Sequence, residues 1–206
     1  MNNKQVNFIQ IGANDGLRQD PIRRFVVEDG WSGILVEPLP RIFNMLKSNY
    51  AYLKRRDLVF VNAAISSKSD ESIHIWSCSD EFCNSLSLDD QLHYLRKSSL
   101  HREHLEACLK ELGNTEDKIK GFHVQCMSVN SLVRQYWKNK RIDLILIDAE
   151  GHDDEIIRAI DFETIHPGAL VFESHSLGSR EQEINDFLSE KGYRVSDLGG
   201  DSVAVS

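Results

Sequence analysis

Residues 6–16 read Val-Asn-Phe-Ile-Gln-Ile-Gly-Ala-Asn-Asp-Gly, an apolar run that ends abruptly in small and polar residues. Val6, Phe8, Ile9 and Ile11 are branched and aromatic side chains that suit a buried strand, and Gly12 breaks the run. Gly12 and Gly16 can reach backbone angles closed to other residues and let a ligand approach the main chain. Asn14 and Asp15 place polar groups at the same strand end. In an open α/β sheet, ligands bind beyond the carboxyl ends of the strands, so this loop marks both a fold and a candidate site.

The rest of the chain repeats the pattern. Near-continuous apolar runs at 33–37, 58–65, 142–148 and 169–173 predict parallel strands covered on both faces. Amphipathic stretches between them predict helices at 21–29, 39–49, 128–138, 153–161 and 179–191. Asp20-Pro21 supplies a capping carboxylate and a first-turn proline. Ser179 with Gln182 predicts a capping box, and Gly192 follows as a helix stop. Residues 193–205, broken at Gly199-Gly200, predict two short antiparallel strands at the sheet edge. Alternation of this kind predicts a doubly wound, mostly parallel α/β sheet.

Residues 66–125 depart from that rhythm. The stretch 71–77, from Glu71, alternates as a strand, and 122–126 reads as another. Between them, 88–112 is a polar helical section with Leu88, Leu92, Leu95, Leu105, Leu109 and Leu112 spaced for one face. The segment 74–125 is expected to be a partly helical insertion that caps the site, within a single domain of residues 1–206.

The 206 residues are 41% hydrophobic and 27% charged, which suits one full core. A net charge of −8 argues against a nucleic-acid partner held by phosphate contacts. Arg23-Arg24 and Lys54-Arg55-Arg56 read as solvated basic faces. No apolar run approaches the about eighteen residues of a membrane span. Residues 1–5 lack an apolar signal segment, so the expected location is cytoplasmic. Cys78, Cys83, Cys108 and Cys126 show no Cys-x-x-Cys spacing and are expected as free thiols.

Five constellations bear on chemistry. The 12–16 loop has Asn14 where a dinucleotide fingerprint has its middle glycine, and Pro21 delays the helix, which disfavours a pyrophosphate cradle. A cofactor without phosphates, approached by the backbone and by Asn14 and Asp15, fits better. Glu37, before Pro38, follows the loop by about twenty residues, the place of an acid that accepts from ribose hydroxyls. Asn62 interrupts an apolar run beside Ala63, near an adenine or bonded to local backbone. Asp148 and Glu150 fall in a strand-to-helix turn with His152, whereas Asp153, Asp154 and Glu155 suit the first turn of the helix and its dipole. Glu173-Ser174-His175 ends the neighbouring strand. Acids and histidines on adjacent strand tips can form a general base with its orienter. They can also hold a divalent metal, here on Asp148, Glu150 and Glu173. Spacing leaves both open.

Taken in order, Ile-Gly-Ala-Asn-Asp-Gly, Val-Glu-Pro, Asn-Ala-Ala-Ile-Ser, Ile-Asp-Leu-Ile-Leu-Ile-Asp-Ala-Glu-Gly-His-Asp and Leu-Val-Phe-Glu-Ser-His resemble the FkbM-type S-adenosylmethionine-dependent methyltransferases. The resemblance spans residues 6–175 and is weakest across 74–125. It implies a class I methyltransferase, Rossmann-like fold: a seven-stranded sheet with an antiparallel C-terminal hairpin. It implies that Gly12, Ala13, Asn14, Asp15 and Gly16 wrap the methionine and ribose end of S-adenosylmethionine, and that Glu37 with Pro38 binds the ribose hydroxyls. Asn62 and Ala63 would sit by the adenine, with Asp148 and Glu150 facing the transferred methyl. The implied reaction is O-methylation of a sugar, glycan or related small natural product. His152 and His175 beside the acids, and the long 74–125 segment, are departures of this chain. The expected base is His175 or His152, with Asp148 or Glu150 orienting the acceptor; a divalent metal is the less favoured route. Two other classes stand beside this one. A nicotinamide-dependent oxidoreductase is opposed by the missing Gly-x-Gly-x-x-Gly, and a non-catalytic nucleoside-binding module by the intact cluster of acids and histidines.

Overall fold

The computed structural model describes residues 5–55, 57–67, 72–111, 113–138 and 140–206. Residues 1–4, Arg56, Glu71 and Leu112, which figure in the expectations above, lie outside the described residues. The chain forms two compact units, Met1–Glu71 with Cys126–Ser206, and Ser72–Gln125.

The first unit opens with β1 (Asn7–Ile11), β2 (Ser32–Val36), α1 (Pro40–Tyr50), β3 (Leu58–Val61) and the two-residue β4 (Ala64–Ile65). The second holds β5 (Ser72–Cys78), α2 (Asp80–Asn84), α3 (Leu88–Leu95), α4 (Arg102–Glu111) and most of β6 (Ile119–Met127). The first unit resumes with α5 (Val129–Tyr136), β7 (Leu144–Ile147), α6 (Asp153–Arg158), β8 (Ala169–Glu173), α7 (Arg180–Glu190), β9 (Arg194–Asp197) and β10 (Asp201–Val205).

Seven strands of the first unit form one sheet in the order β3-β2-β1-β7-β8-β10-β9. All pair in parallel except β10, which runs antiparallel to β8 and β9, as the class I fold requires. The order reverses between β1 and β7, the place where an open α/β sheet leaves a crevice. Registers Ile11↔Val36, Ile11↔Ile147 and Ile147↔Phe172 bring the carboxyl ends of β2, β1, β7 and β8 level along that crevice.

Strand alternation explains the two-sided core. Ile9, Ile34 and Ile145 pack with Ile156, Leu170 and Ile184, while Phe8, Leu35 and Leu146 pack with Leu46 and Tyr50. Successive residues point to opposite faces, so a strand covered on both sides must be apolar throughout. Each such side chain contributes roughly 1.5–3 kcal/mol when fully buried. In the second unit, β5 and β6 pair antiparallel from Ser72↔Gln125 to Cys78↔Ile119, and Leu92, Leu95, Leu105 and Leu109 are buried.

Four local expectations are corrected. The 88–112 section is two helices, because Ser99 leaves the helix to exchange backbone hydrogen bonds with Trp76 at 2.8 and 2.9 Å. The 21–29 segment starts as expected, with Asp20 Oδ1 accepting from Ile22 N and Arg23 N at 2.9 and 3.0 Å. It then widens to a π-turn over Phe25–Asp29 that Gly30 ends at φ 73°. The 58–65 run breaks at Asn62-Ala63, and β4 pairs with Cys126 and Met127 instead of continuing the large sheet. The capping box is absent: Ser179 already has helical angles, φ −65° and ψ −19°, so its side chain makes no cap bond, and Gln182 bonds Asp186. None of the four cysteines is in a disulfide. Among the described residues no helix is long and apolar enough to cross a membrane.

Candidate active site

The loop after β1 is stitched to both neighbouring strands. Gly12 N and Ala13 N donate to Val36 O at 3.1 and 2.9 Å, and Asp148 N donates to Ile11 O at 3.1 Å. Gly12 has φ 77°, and a Cβ placed there would lie 2.0 Å from Asp148 O. Only glycine permits that approach. At Gly16 (φ 61°) a Cβ would meet Leu46 and Tyr50 at 2.4 and 2.6 Å, so this second glycine serves packing against α1.

Asn14 adopts φ 47° without being glycine. Two bonds hold it there: its N–H donates to Glu37 Oε2 at 3.1 Å, and its Oδ1 accepts from Asp15 N at 2.7 Å. Asp15 is fully buried and turned into its own loop, where Oδ1 accepts from Leu17 N and Arg18 N and Oδ2 pairs with Arg18 at 3.0 Å.

Glu37 closes β2 as a buried carboxyl. Oε2 accepts from Asn14 N and Oε1 from Leu39 N at 3.0 Å, and each oxygen keeps a further acceptor direction. Burial pushes its pKa up from 4.5 to about 7; the bonds from Leu39 and Asn14 oppose this, and the charge of Asp148 adds to it. Asn62 Nδ2 donates to Glu37 O and Pro38 O at 2.8 and 2.9 Å, so this polar break in the strand fastens the chain just beyond β2. Ala63 is buried beside it.

Beyond β7 the chain turns through Glu150 (φ 48°) and Gly151 (φ 90°), with Asp148 exposed at the strand tip. Asp153 does more than face a helix dipole. It is fully buried, with Oδ2 accepting from Ala149 N and Oδ1 from Glu173 N, each at 3.2 Å, so one carboxyl staples the tip of β7 to that of β8. Burial pushes its pKa up to about 8; the two bonds oppose the rise, and Asp148 and Glu173 reinforce it. Composition could not single it out from Asp154 and Glu155. Asp154 instead pairs with Arg180 at 2.5 Å, and Arg180 also reaches Gly151 O at 3.3 Å. Glu155 accepts from Ser67 Oγ.

The two histidines sit in separate acid pairs. His175 Nδ1 lies 3.5 Å from Glu173 Oε1 and 3.4 Å from Gly200 O, and the ring is 66% exposed. His152 Nε2 lies 3.3 Å from Glu155 Oε2, with the side chain only 12% exposed. Gly200 O also receives Ser174 N at 3.0 Å and His175 N at 3.1 Å, which fixes the turn after β8 to the C-terminal hairpin. Among the described residues no three His, Cys, Asp or Glu side chains are grouped to hold a metal ion. Asp148, Glu150 and Glu173 are therefore not grouped as the ligand set considered above, and Glu173 Oε1 faces His175.

The profile of the methyltransferase FkbM domain matches residues 10–195, through every strand tip just described. The chain belongs to the FkbM methyltransferase family. It is thus a member of a family of S-adenosylmethionine-dependent methyltransferases, and its sheet has their class I topology. No curated protein sequence matches it. In structure it is similar to a methyltransferase FkbM from Methylobacillus flagellatus KT, with a TM-score of 0.54, 11% identity, and coverage of 98% of this chain and 44% of that one. It therefore spans less than half of that relative's length. A proposed caffeoyl-CoA O-methyltransferase from Staphylococcus aureus is also similar, with a TM-score of 0.51, 11% identity, and coverage of 99% and 77%. At such identities the likeness is one of fold. In this FkbM-family sheet the glycine loop, Glu37 and Asp148 are joined by direct contacts, and Asp153 links them to Glu173.

Proposed function

We propose that this chain transfers a methyl group from S-adenosylmethionine to a hydroxyl of a sugar, glycan or related small natural product, with a histidine as base. One observation supports it most. At the point where strand order reverses, a phosphate-unsuited glycine loop leans on a buried carboxyl whose two oxygens each retain acceptor capacity, and a histidine–acid pair ends β8, with β7 between it and the loop's own strand.

In this reading the main chain of Gly12, Ala13, Asn14, Asp15 and Gly16 follows the methionine and ribose. Glu37, with Pro38, accepts from the ribose hydroxyls, and Asn62 and Ala63 flank the adenine. Asp148 borders the reacting end, and Asp148 or Glu150 orients the acceptor. The bound cofactor supplies an electrophilic methyl on a sulfonium. The protein aligns the acceptor oxygen and takes its proton, since an alcohol is a poor nucleophile. His175 suits that task better than His152. Its Nδ1 is flanked by two acceptors, Glu173 Oε1 and Gly200 O, so the neutral ring keeps its proton on Nδ1 and offers Nε2 as base. Glu173 then stabilises the imidazolium that forms. A metal held by Asp148, Glu150 and Glu173 is the less favoured route, because those side chains are not grouped. Four cysteines outside any disulfide accord with a cytoplasmic setting.

Calorimetry with S-adenosylhomocysteine and NAD tests the core of the proposal. Saturable binding of S-adenosylhomocysteine alone is expected; saturable NAD binding without it would sink the reading. With a panel of hydroxylated sugars and labelled S-adenosylmethionine, His175→Ala should lower turnover and leave S-adenosylhomocysteine affinity unchanged. Unaltered turnover removes His175 from the base role, and loss of activity in EDTA restored by Mg²⁺ transfers it to a metal.

A further inference from the structure

Between residues 12 and 19 the backbone takes positive φ four times, at Gly12 (77°), Asn14 (47°), Gly16 (61°) and Gln19 (55°). Asn14 and Gln19 carry a Cβ that disfavours this conformation, so the loop holds its curve only while its surroundings impose it. Besides Glu37, which holds Asn14, two side chains outside the loop do so. Arg23 Nη1 donates to Gly16 O at 2.6 Å, and Nη2 donates to Asn49 O at 3.0 Å. Its guanidinium also lies over the Tyr50 ring, 4.8 Å from the centroid. Asn49, on α1, donates from Nδ2 to Asp15 O at 2.8 Å. The expectation of a solvated Arg23-Arg24 face is thus half overturned: Arg24 is 77% exposed and paired with Glu28, while Arg23 is spent on backbone carbonyls.

We propose that Arg23 and Asn49 are positioning residues for the methionine end of the cofactor, acting through the carbonyls of Asp15 and Gly16 to hold the glycine loop in its binding curve before the cofactor arrives. The inference rests on the cofactor site proposed above. A planar guanidinium can grip two carbonyls at once, which a lysine ammonium on a flexible stem does not reproduce in the same geometry. The amide of Asn49 secures the adjacent carbonyl independently, so the two residues give two separate tests.

Arg23→Lys, Asn49→Ala and the control Arg24→Ala would be titrated by calorimetry with S-adenosylhomocysteine and with adenosine, which lacks the methionine moiety. In the first two variants S-adenosylhomocysteine affinity should fall roughly tenfold, with a clearly smaller loss, about threefold or less, for adenosine, which keeps the ribose but not the methionine. Arg24→Ala should match wild type with both. Amide hydrogen exchange of residues 12–16 in the cofactor-free protein should rise in Arg23→Lys and Asn49→Ala and not in the control. Unchanged exchange, unchanged S-adenosylhomocysteine affinity, or equal loss of both ligands overturns the inference. Asn49→Ala keeps a strong helix former on α1, so it carries the test if Arg23→Lys fails to fold. Wild-type protein that binds neither ligand overturns the cofactor site itself, an outcome separable from loss in the variants alone.

Discussion

Glu37→Gln tests the electrostatics of the site most directly. In the folded protein burial lifts this carboxyl from 4.5 to about 7, whereas the unfolded chain titrates near the ordinary value. Between those two values the folded state keeps a proton that the unfolded state has released, so stability falls as pH rises through this window. A shift of about 2.5 units at about 1.4 kcal/mol each gives a loss of roughly 3 kcal/mol between pH 4.5 and pH 8. Glutamine cannot titrate, which removes that slope. Its amide nitrogen is a donor and accepts from neither Leu39 N nor Asn14 N, so one of the two bonds is lost, a pH-independent loss of about 1–2 kcal/mol. Wild type should therefore be the more stable protein at pH 5, and the variant should equal or overtake it by pH 8. Asp153, lifted to about 8, titrates in both proteins and cancels in the difference. Urea unfolding across pH 5–8.5 measures the two curves. Parallel curves, with a difference independent of pH, would refute the reasoning. In the cofactor site proposed above the ribose hydroxyls take the ionised acid, so wild-type affinity for S-adenosylhomocysteine should also rise about tenfold per pH unit up to about pH 7 and then level.

Three further outcomes are expected. Gly12→Ala forces a Cβ to 2.0 Å from Asp148 O and should cost more than about 3 kcal/mol, whereas Gly151→Ala, at φ 90° with open space around it, should cost about 1 kcal/mol; equal thermal shifts would undo the steric argument. Asp153→Ala orphans two buried N–H groups and should cost about 3 kcal/mol near pH 6, with a smaller loss at pH 9, where the wild-type carboxyl is ionised against its burial; denaturant midpoints at both pH values decide. Arg55→Ala removes bonds to Val26 O and Gly30 O and the partner that holds the Asp57 carboxyl well below its usual range. It should cost about 2 kcal/mol at pH 7, and because a depressed acid stabilises only above its ordinary pKa, the loss should shrink as pH falls below about 4.

What the sequence disclosed follows from which forces act locally. β1, β2, β7 and β8 are buried on both faces, so their identity is written in continuous apolar runs, and the antiparallel hairpin is announced by Gly199-Gly200. The helix break at Ser99 and the detachment of β4 were hidden because each depends on a partner strand distant in the chain. The site divides the same way. Gly12, Glu37 and Asp148 stand out by residue type at a strand end, and they do meet in space. Asp153 and Arg23 look like ordinary helix-end and surface charges; only folding shows that each is committed to backbone groups on neighbouring segments. Asp15 errs the other way, a polar loop residue whose side chain serves the loop alone.

The contact between Gly12 and the carbonyl of Asp148 has a corollary for chimaeras. With no atom to spare between them, the turn that follows β1 and the turn that follows β7 must be inherited together. A hybrid that takes one turn from a relative and keeps the other would misfit at this point, even if every strand matched. Grafts between relatives should therefore succeed only when the graft points fall outside this pair, with both turns drawn from the same parent.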